Sequence, residues 1–153
     1  PHAGDDYDEM ERLLIEAADD CDLVLSSGST SASAVDVIYR VIESRGDLRL
    51  HGVAVKPGKP MLVGELDGSA YIGLPGYPVS ALTIFRLFVA PAIRSAAGQP
   101  DPQTATLTGT MAVEERYAEG RLRLMPVGTV SHAVGETLVY PVDKVTGATT
   151  SLG

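Results

Sequence analysis

Sulfhydryl chemistry is almost missing from this sequence. Cys21 is its one cysteine, which excludes a disulfide framework and a cysteine metal site. Cys21 follows a helical pattern, has no histidine near it in sequence, and reads as a small core residue rather than a catalytic thiol. Long apolar runs are missing too. None reaches 18 residues, and no charged-then-apolar leader opens the chain, so no membrane partner is expected and a soluble, cytoplasmic protein is. Basic charge is scarce: 12 Lys and Arg against 20 Asp and Glu leave a net charge of −8. A phosphate backbone needs a basic face, so nucleic acid is not expected as a partner. No internal repeat or low-complexity tract is visible.

What is present suits a packed domain. At 153 residues and 44% hydrophobic, the chain has the size of one ordinary domain, with room for a small appendage. It begins at Pro1 without a methionine and ends Thr-Thr-Ser-Leu-Gly, so a piece of a longer protein is expected.

Residues 5–20 predict a helix, with Met10, Leu13, Leu14, Ala17 and Ala18 on one face. Asp5, Asp6 and Asp8 crowd its start, where carboxylates cap free N–H groups. Asp22 to Ser26 predicts a short buried strand, followed by a polar loop of small residues, Ser27 to Ser33. A second helix is predicted over 34–45, with Val35, Ile38, Val41 and Ile42 inward and Gly46 as its stop. Leu48 to Val55 reads as the next strand. Asp67-Gly68 between Met61–Leu66 and Ala70–Leu74 signals a hairpin. A long helix opens at Val79 and runs through Leu82, Phe85, Leu87, Phe88 and Val89. Pro91 should kink or divide it and Gly98 end it. Beyond Gln99-Pro-Asp-Pro102, three strands are expected at Thr104–Val113, Arg121–Pro126 and Thr137–Val142.

This rhythm predicts an α/β fold with a parallel sheet and crossover helices over residues 1–98, then a partial small β domain over 103–153. Ligands of such sheets bind outside the carboxyl ends of the strands. Three loops are expected at that edge: 26–33, Lys56–Lys59 and Pro75–Pro78.

The second and third of these carry the sharpest pattern. Lys56-Pro57-Gly58-Lys59-Pro60 sets two cations on a turn stiffened by two prolines. Gly73-Leu74-Pro75-Gly76-Tyr77-Pro78-Val79-Ser80-Ala81 answers it, with Pro78 suited to the first position of a helix. Cations on a rigid turn beside a helix start make a place for an anion, within an otherwise acidic body. Each motif alone also reads as structure, since Pro-Gly turns join strands everywhere and turn lysines are usually solvated. The small-residue loop likewise reads either as a plain connector or as a nest of donors for an oxyanion. His51 and His132 titrate near neutrality, but nothing in the sequence ties either to a site.

The two motifs together resemble the molybdopterin molybdenumtransferase family, of the MoeA or gephyrin E-domain type. There Lys-Pro-Gly-Lys-Pro and Gly-Leu-Pro-Gly-Asn-Pro-Val-Ser-Ala occur as a pair. The resemblance covers most of the chain: the family's central MogA-like three-layer domain, with its first strand missing, and the start of its C-terminal β domain. The polar loop is similar to the family's Ser-Gly-Gly-x-Ser-x-Gly-x-x-Asp, with Ser27, Gly28, Ser31 and Asp36 in place. Ser29 and Ser33 replace glycines, and Tyr77 replaces the asparagine of the second motif.

The resemblance implies an enzyme of molybdenum cofactor biosynthesis. It would take molybdate and adenylylated molybdopterin as substrates, insert molybdenum at the dithiolene sulfurs and release AMP. Lys56 and Lys59 would neutralise phosphate or molybdate. Ser27, Gly28 and Ser31 would line the phosphate side, and Pro75, Gly76 and Pro78 would shape the wall. Asp5 and Asp36 would hold Mg²⁺ or assist hydrolysis, since Mg²⁺ takes one or two carboxylates beside substrate phosphates. The family works as a homodimer, so the same is expected here. Two other readings stand beside this one: a related molybdopterin adenylyltransferase, and a degenerate module kept for pterin binding or dimerisation. Glycine lets backbone approach a ligand closely, so Ser29, Ser33 and Tyr77 favour the degenerate module, whereas Asp5, Asp36, Lys56 and Lys59 favour the insertase.

Overall fold

The computed structural model describes residues 2, 6–28, 32–100, 102–115, 119–131 and 135–142, and the side chains of all of these but 32–36. Asp5, Ser31 and His132 lie outside the described residues, as do Ser29 and Thr30 of the polar loop.

The first helix, α1 (Tyr7–Asp20), starts where the aspartates place it. Asp6 is its N-cap, its Oδ1 accepting from the backbone N–H of Asp8 at 2.9 Å and Glu9 at 3.1 Å. Its far end carries no basic residue. Instead the Ser69 hydroxyl lies 2.9 Å from the carbonyl of Ala18 and 2.8 Å from that of Cys21, satisfying the last turn from the sheet. Strand β1 (Leu23–Ser27) follows, then α2 (Ala32–Arg45). Gly46 ends α2 as expected and opens β2 (Gly46–His51). No side chain fits there, because a Cβ would collide with the carbonyl of Glu65 on β4 (Leu62–Leu66). The hairpin from β4 to β5 (Ser69–Leu74) turns through Asp67 at φ +46° and Gly68 at φ +90°. Two positive φ values are what a tight two-residue hairpin demands.

The main sheet has the order β1-β5-β4-β2. β1 and β5 are parallel, while β4 is antiparallel to both β5 and β2. The sheet contains the expected parallel strands, β1, β5 and β2 pointing one way, with β4 antiparallel through the expected hairpin. The expected strand Leu48–Val55 is corrected. β2 ends at His51, and Val55–Lys56 forms a separate short strand, β3, outside the main sheet. The chain leaves at Gly52, whose φ of +86° turns it away from β4.

Alternation along β5 divides the core in two. Tyr71 joins Leu14, Ala18, Val24, Ile38, Val41, Ile42, Leu62 and Leu66 beneath α1 and α2. Ile72 and Leu74 face the other way and pack with Met61, Val55, Ile84 and Val89. The result is three layers, α/β/α. Each fully buried Leu, Ile or Val is worth about 1.5–3 kcal/mol, so these clusters outweigh surface pairs such as Arg12–Glu16, worth roughly 0–1 kcal/mol. Cys21 is exposed rather than a core residue. His51 stacks obliquely on Tyr39, ring centroids 5.5 Å apart, which is a structural role.

The long helix begins at Pro78, as its proline predicts, and runs to Ala96. It is continuous at Pro91 because a π turn precedes it. Between α3 (Pro78–Ile84) and α4 (Ala90–Ala96), residues Phe85–Val89 widen to i→i+5 bonding, with the Ala90 N–H donating to the Phe85 carbonyl. That extra residue absorbs the register that proline cannot hold. Ile84 and Val89 are buried against the sheet, whereas Leu82, Leu87, Phe88 and Ile93 are exposed. The 19-residue segment Pro78–Ala96 is long and apolar enough, by length and composition, to cross a membrane, a test that core helices also pass.

Beyond the linker the strands are shorter than expected. β6 (Thr110–Met111), β8 (Val127–Ser131) and β9 (Thr137–Pro141) form one small sheet in the order β6-β9-β8. β8 escapes prediction because Gly128 interrupts its alternation. β7 (Leu122–Arg123) does not join them. It pairs in parallel with β3, Val55 with Leu122 and Lys56 with Arg123. The pairing crosses the boundary expected at 99–102.

Candidate anion-binding site

The carboxyl ends of β1 and β5 are neighbours. Ser27 and Leu74 are register partners, so the chain leaves two adjacent strands at Gly28 and Pro75. Ser27 and Gly28 are exposed. Gly28 has φ +91° and nothing within 4 Å of where a Cβ would stand, so the turn needs glycine for its backbone rather than for space. Just beneath, Ser26 Oγ and the Tyr71 hydroxyl are 2.6 Å apart, tying the end of β1 to the centre of β5. Asp36 lies on α2, its side chain outside those described.

The lysine turn is held from both sides. Gly52 N–H donates to the Met61 carbonyl at 2.7 Å, and the N–H groups of Val53 and Met61 both donate to the Lys59 carbonyl at 2.9 Å. The Lys56–Pro57 peptide is cis. Gly58, at φ +125°, lies directly against α3, where a Cβ would stand 2.5 Å from Ile84 Cδ1. Only glycine permits both the backbone angle and the approach. On the outer side, Leu122 N–H donates to the Ala54 carbonyl at 2.7 Å and Leu124 N–H to the Lys56 carbonyl at 2.9 Å. The lysine side chains project from a turn clamped between α3 and β7.

A cavity of about 380 Å³ opens there, lined by Val55 to Pro60, Tyr77, Ser80 and Arg121. Lys56 and Lys59 are both in its wall, as the motif predicts. Ser80 is only 8% exposed. Arg121 arrives from the C-terminal segment through the β3–β7 pairing. Among the described residues, none of Lys56, Lys59 or Arg121 forms an ion pair. Among the described residues, three cations without an ion-pair partner thus line one cavity in a chain of net charge −8. An anion in contact with them gains roughly 1–4 kcal/mol per charge, depending on local dielectric. Acidic groups beyond a Debye length of about 8 Å are largely screened. The local field decides, and it favours an oxyanion.

Pro75 is buried under this wall, and Gly76 and Pro78 flank Tyr77 without lining the cavity. From that motif it is Tyr77 and Ser80 that face inward. Sequence reading assigned no role to Ser80 or Arg121. Ser80 sat inside the Pro-Val-Ser-Ala motif, but Arg121 had no local signal, since a pairing across more than 60 residues carries it to the site. Among the described residues no three His, Cys, Asp or Glu side chains converge to hold a metal ion, and the carboxylates of Asp5 and Asp36 are not among those described.

Comparison with known proteins gives the family. The family model described as a probable molybdopterin binding domain matches residues 1–95. A molybdopterin molybdenumtransferase 2 of Mycobacterium tuberculosis is 39% identical over 151 residues, covering 90% of this chain and 35% of the relative. A molybdopterin molybdenumtransferase of Haemophilus influenzae is 37% identical over 121 residues, covering 77% and 30%. Among solved structures, a molybdopterin biosynthesis MoeA protein from Pyrococcus horikoshii superposes with a TM-score of 0.68 at 32% identity, over 96% of this chain and 34% of that one. The chain thus spans about a third of the length of these relatives. It belongs to the family of probable molybdopterin-binding domains, in the MoeA or molybdopterin molybdenumtransferase branch.

Proposed function

We propose that this chain carries the oxyanion-binding part of a molybdopterin molybdenumtransferase, acting in molybdenum cofactor biosynthesis to insert molybdenum from molybdate into adenylylated molybdopterin with release of AMP. The observation that carries the reading is the grouping of Lys56, Lys59, Arg121 and the Ser80 hydroxyl around one cavity. Molybdate is a tetrahedral dianion. Two cations on the lysine turn and a third from the C-terminal segment offset its charge, and a hydroxyl supplies a directed hydrogen bond. The same groups would take a phosphate of the substrate. The sites on Ser27 and Gly28 stand one strand away, at the same edge of the sheet, where a substrate longer than the cavity can extend.

Calorimetric titration of molybdate into the chain, and into its Lys59→Ala and Arg121→Ala variants, tests the reading. Hydrogen bonds to charged groups are worth about 1.5–3 kcal/mol, so each variant is expected to bind roughly tenfold or more weakly. Equal affinity in all three proteins would place molybdate elsewhere. Turnover is then measured in the full-length protein with the same substitutions. Binding there without turnover would leave a binding module in place of the insertase.

A further inference from the structure

Among the described residues Tyr77 is the one aromatic on the cavity wall, and it is 70% exposed. Its ring makes no ring contact, and its hydroxyl no hydrogen bond, among the described residues. The backbone beneath it is fixed nonetheless. Its carbonyl accepts from the Ala81 N–H at 2.9 Å, its ψ of 126° is set by the proline that follows, and Pro75 is buried two residues before. A large apolar ring thus stands exposed on a fixed backbone, in the same cavity wall as Lys56, Lys59 and Arg121.

We infer that Tyr77 is a stacking platform that makes the site prefer oxyanions carrying a planar heteroaromatic ring over the same oxyanions without one. The inference rests on the anion site proposed above. An anion held by Lys56, Lys59 and Arg121 leaves whatever is joined to it at the cavity mouth, where the face of Tyr77 is open. Stacking recognises any flat π-face and needs no directed hydrogen bond. An asparagine at this place, as the related motif carries, would offer an amide but no such face. Tyr77 therefore sets which ligands the site holds well, and the cations set that it holds an anion at all. A nucleoside phosphate and a pterin phosphate share the required chemistry.

The test compares ligands that differ only in the ring. AMP, a pterin phosphate ester and ribose 5-phosphate are titrated into the chain and into Tyr77→Phe, Tyr77→Ala and Lys59→Ala. Stacking of a base on an aromatic side chain is worth enough to make AMP bind roughly tenfold more tightly than ribose 5-phosphate. Tyr77→Phe keeps that ratio, and Tyr77→Ala brings it close to one while the ribose 5-phosphate affinity holds. The pterin ester, compared with AMP across the same variants, shows which ring the platform serves. A ratio that survives Tyr77→Ala, that is absent from the unaltered chain, or that is lost in Tyr77→Phe overturns the inference while leaving the anion site standing. Ribose 5-phosphate that binds Lys59→Ala as well as the unaltered chain, or binds neither, overturns the anion site and the inference with it.

Discussion

Lys56 and Arg123 are register partners in a two-residue parallel pair, and that pair joins the C-terminal segment to the lysine turn. Arg123 also reaches Glu115 at 3.1 Å, with both side chains largely shielded from solvent. Leu122 itself adds little to the core, being 55% exposed, although its partner Val55 is buried. The consequence of the pairing is positional: it brings Arg121 to the cavity that holds Lys56 and Lys59.

Leu122→Pro separates position from stability. Proline removes the N–H that donates to the Ala54 carbonyl at 2.7 Å. That carbonyl lies on an exposed residue, so water replaces the bond and the cost is about 1 kcal/mol. The oxyanion affinity is expected to fall as far as it does in Arg121→Ala. Calorimetry read beside a urea melt checks both halves. An unchanged affinity would show that β7 does not position Arg121.

Gly58→Ala acts from the other side of the turn. A Cβ there must take φ +125° and displace the end of Ile84, a side chain that is fully buried. Backbone strain and overpacking each cost about 1–3 kcal/mol. A loss of stability of about 2–4 kcal/mol is expected by chemical denaturation, with weaker anion binding in whatever remains folded. A variant as stable as the parent would mean that α3 gives way to the methyl group.

Local signals in the sequence were enough for the elements that surround the site. The aspartate cap of α1, the Asp67-Gly68 hairpin, the glycine stop of α2 and the proline start of the long helix each depend on a few adjacent residues, and each is found where those residues put it. The lysine turn was legible for the same reason. What escaped depends on contacts distant in the chain. Nothing near Val55 says that it leaves the main sheet for Leu122, and so nothing near Arg121 says that it faces Lys56 and Lys59. The antiparallel setting of β4 is a partial exception, since a tight hairpin already requires it. Cys21 was expected in the core as a small residue just after the helix; α1 does end at Asp20, but the cysteine that follows it is exposed.

Ser26 and Tyr71 offer a test of how the neighbouring loop is held. Their hydroxyls lie 2.6 Å apart, Tyr71 is fully buried, and Ser26 is the last residue before the Ser27-Gly28 exit from β1. Ser26→Ala removes one hydrogen bond to a buried phenol, and a loss of about 1 kcal/mol is expected. Amide exchange at Ser27 and Gly28 should rise, while exchange in β4, which lies on the far side of β5, stays as it was. Faster exchange across the whole sheet would instead report a general loss of stability.

Salt dependence distinguishes a site made of cations from one made of backbone donors. Lys56 and Lys59 are exposed, and no carboxylate among the described residues pairs with them or with Arg121. Their pull on an anion is therefore screened as ionic strength rises, the Debye length shrinking from about 30 Å at 0.01 M to about 8 Å at 0.15 M. Molybdate affinity should fall steadily over that range in a salt whose own ions bind weakly. Removing one cation should flatten the dependence as well as lower the affinity, because less of the binding is then long-range attraction. Lys59→Ala and Arg121→Ala should flatten it to a similar degree if both face the same ion. Should the affinity stay constant across the salt series, the oxyanion is held by N–H groups and hydroxyls of the loops, and the three cations around the cavity are a solvated surface.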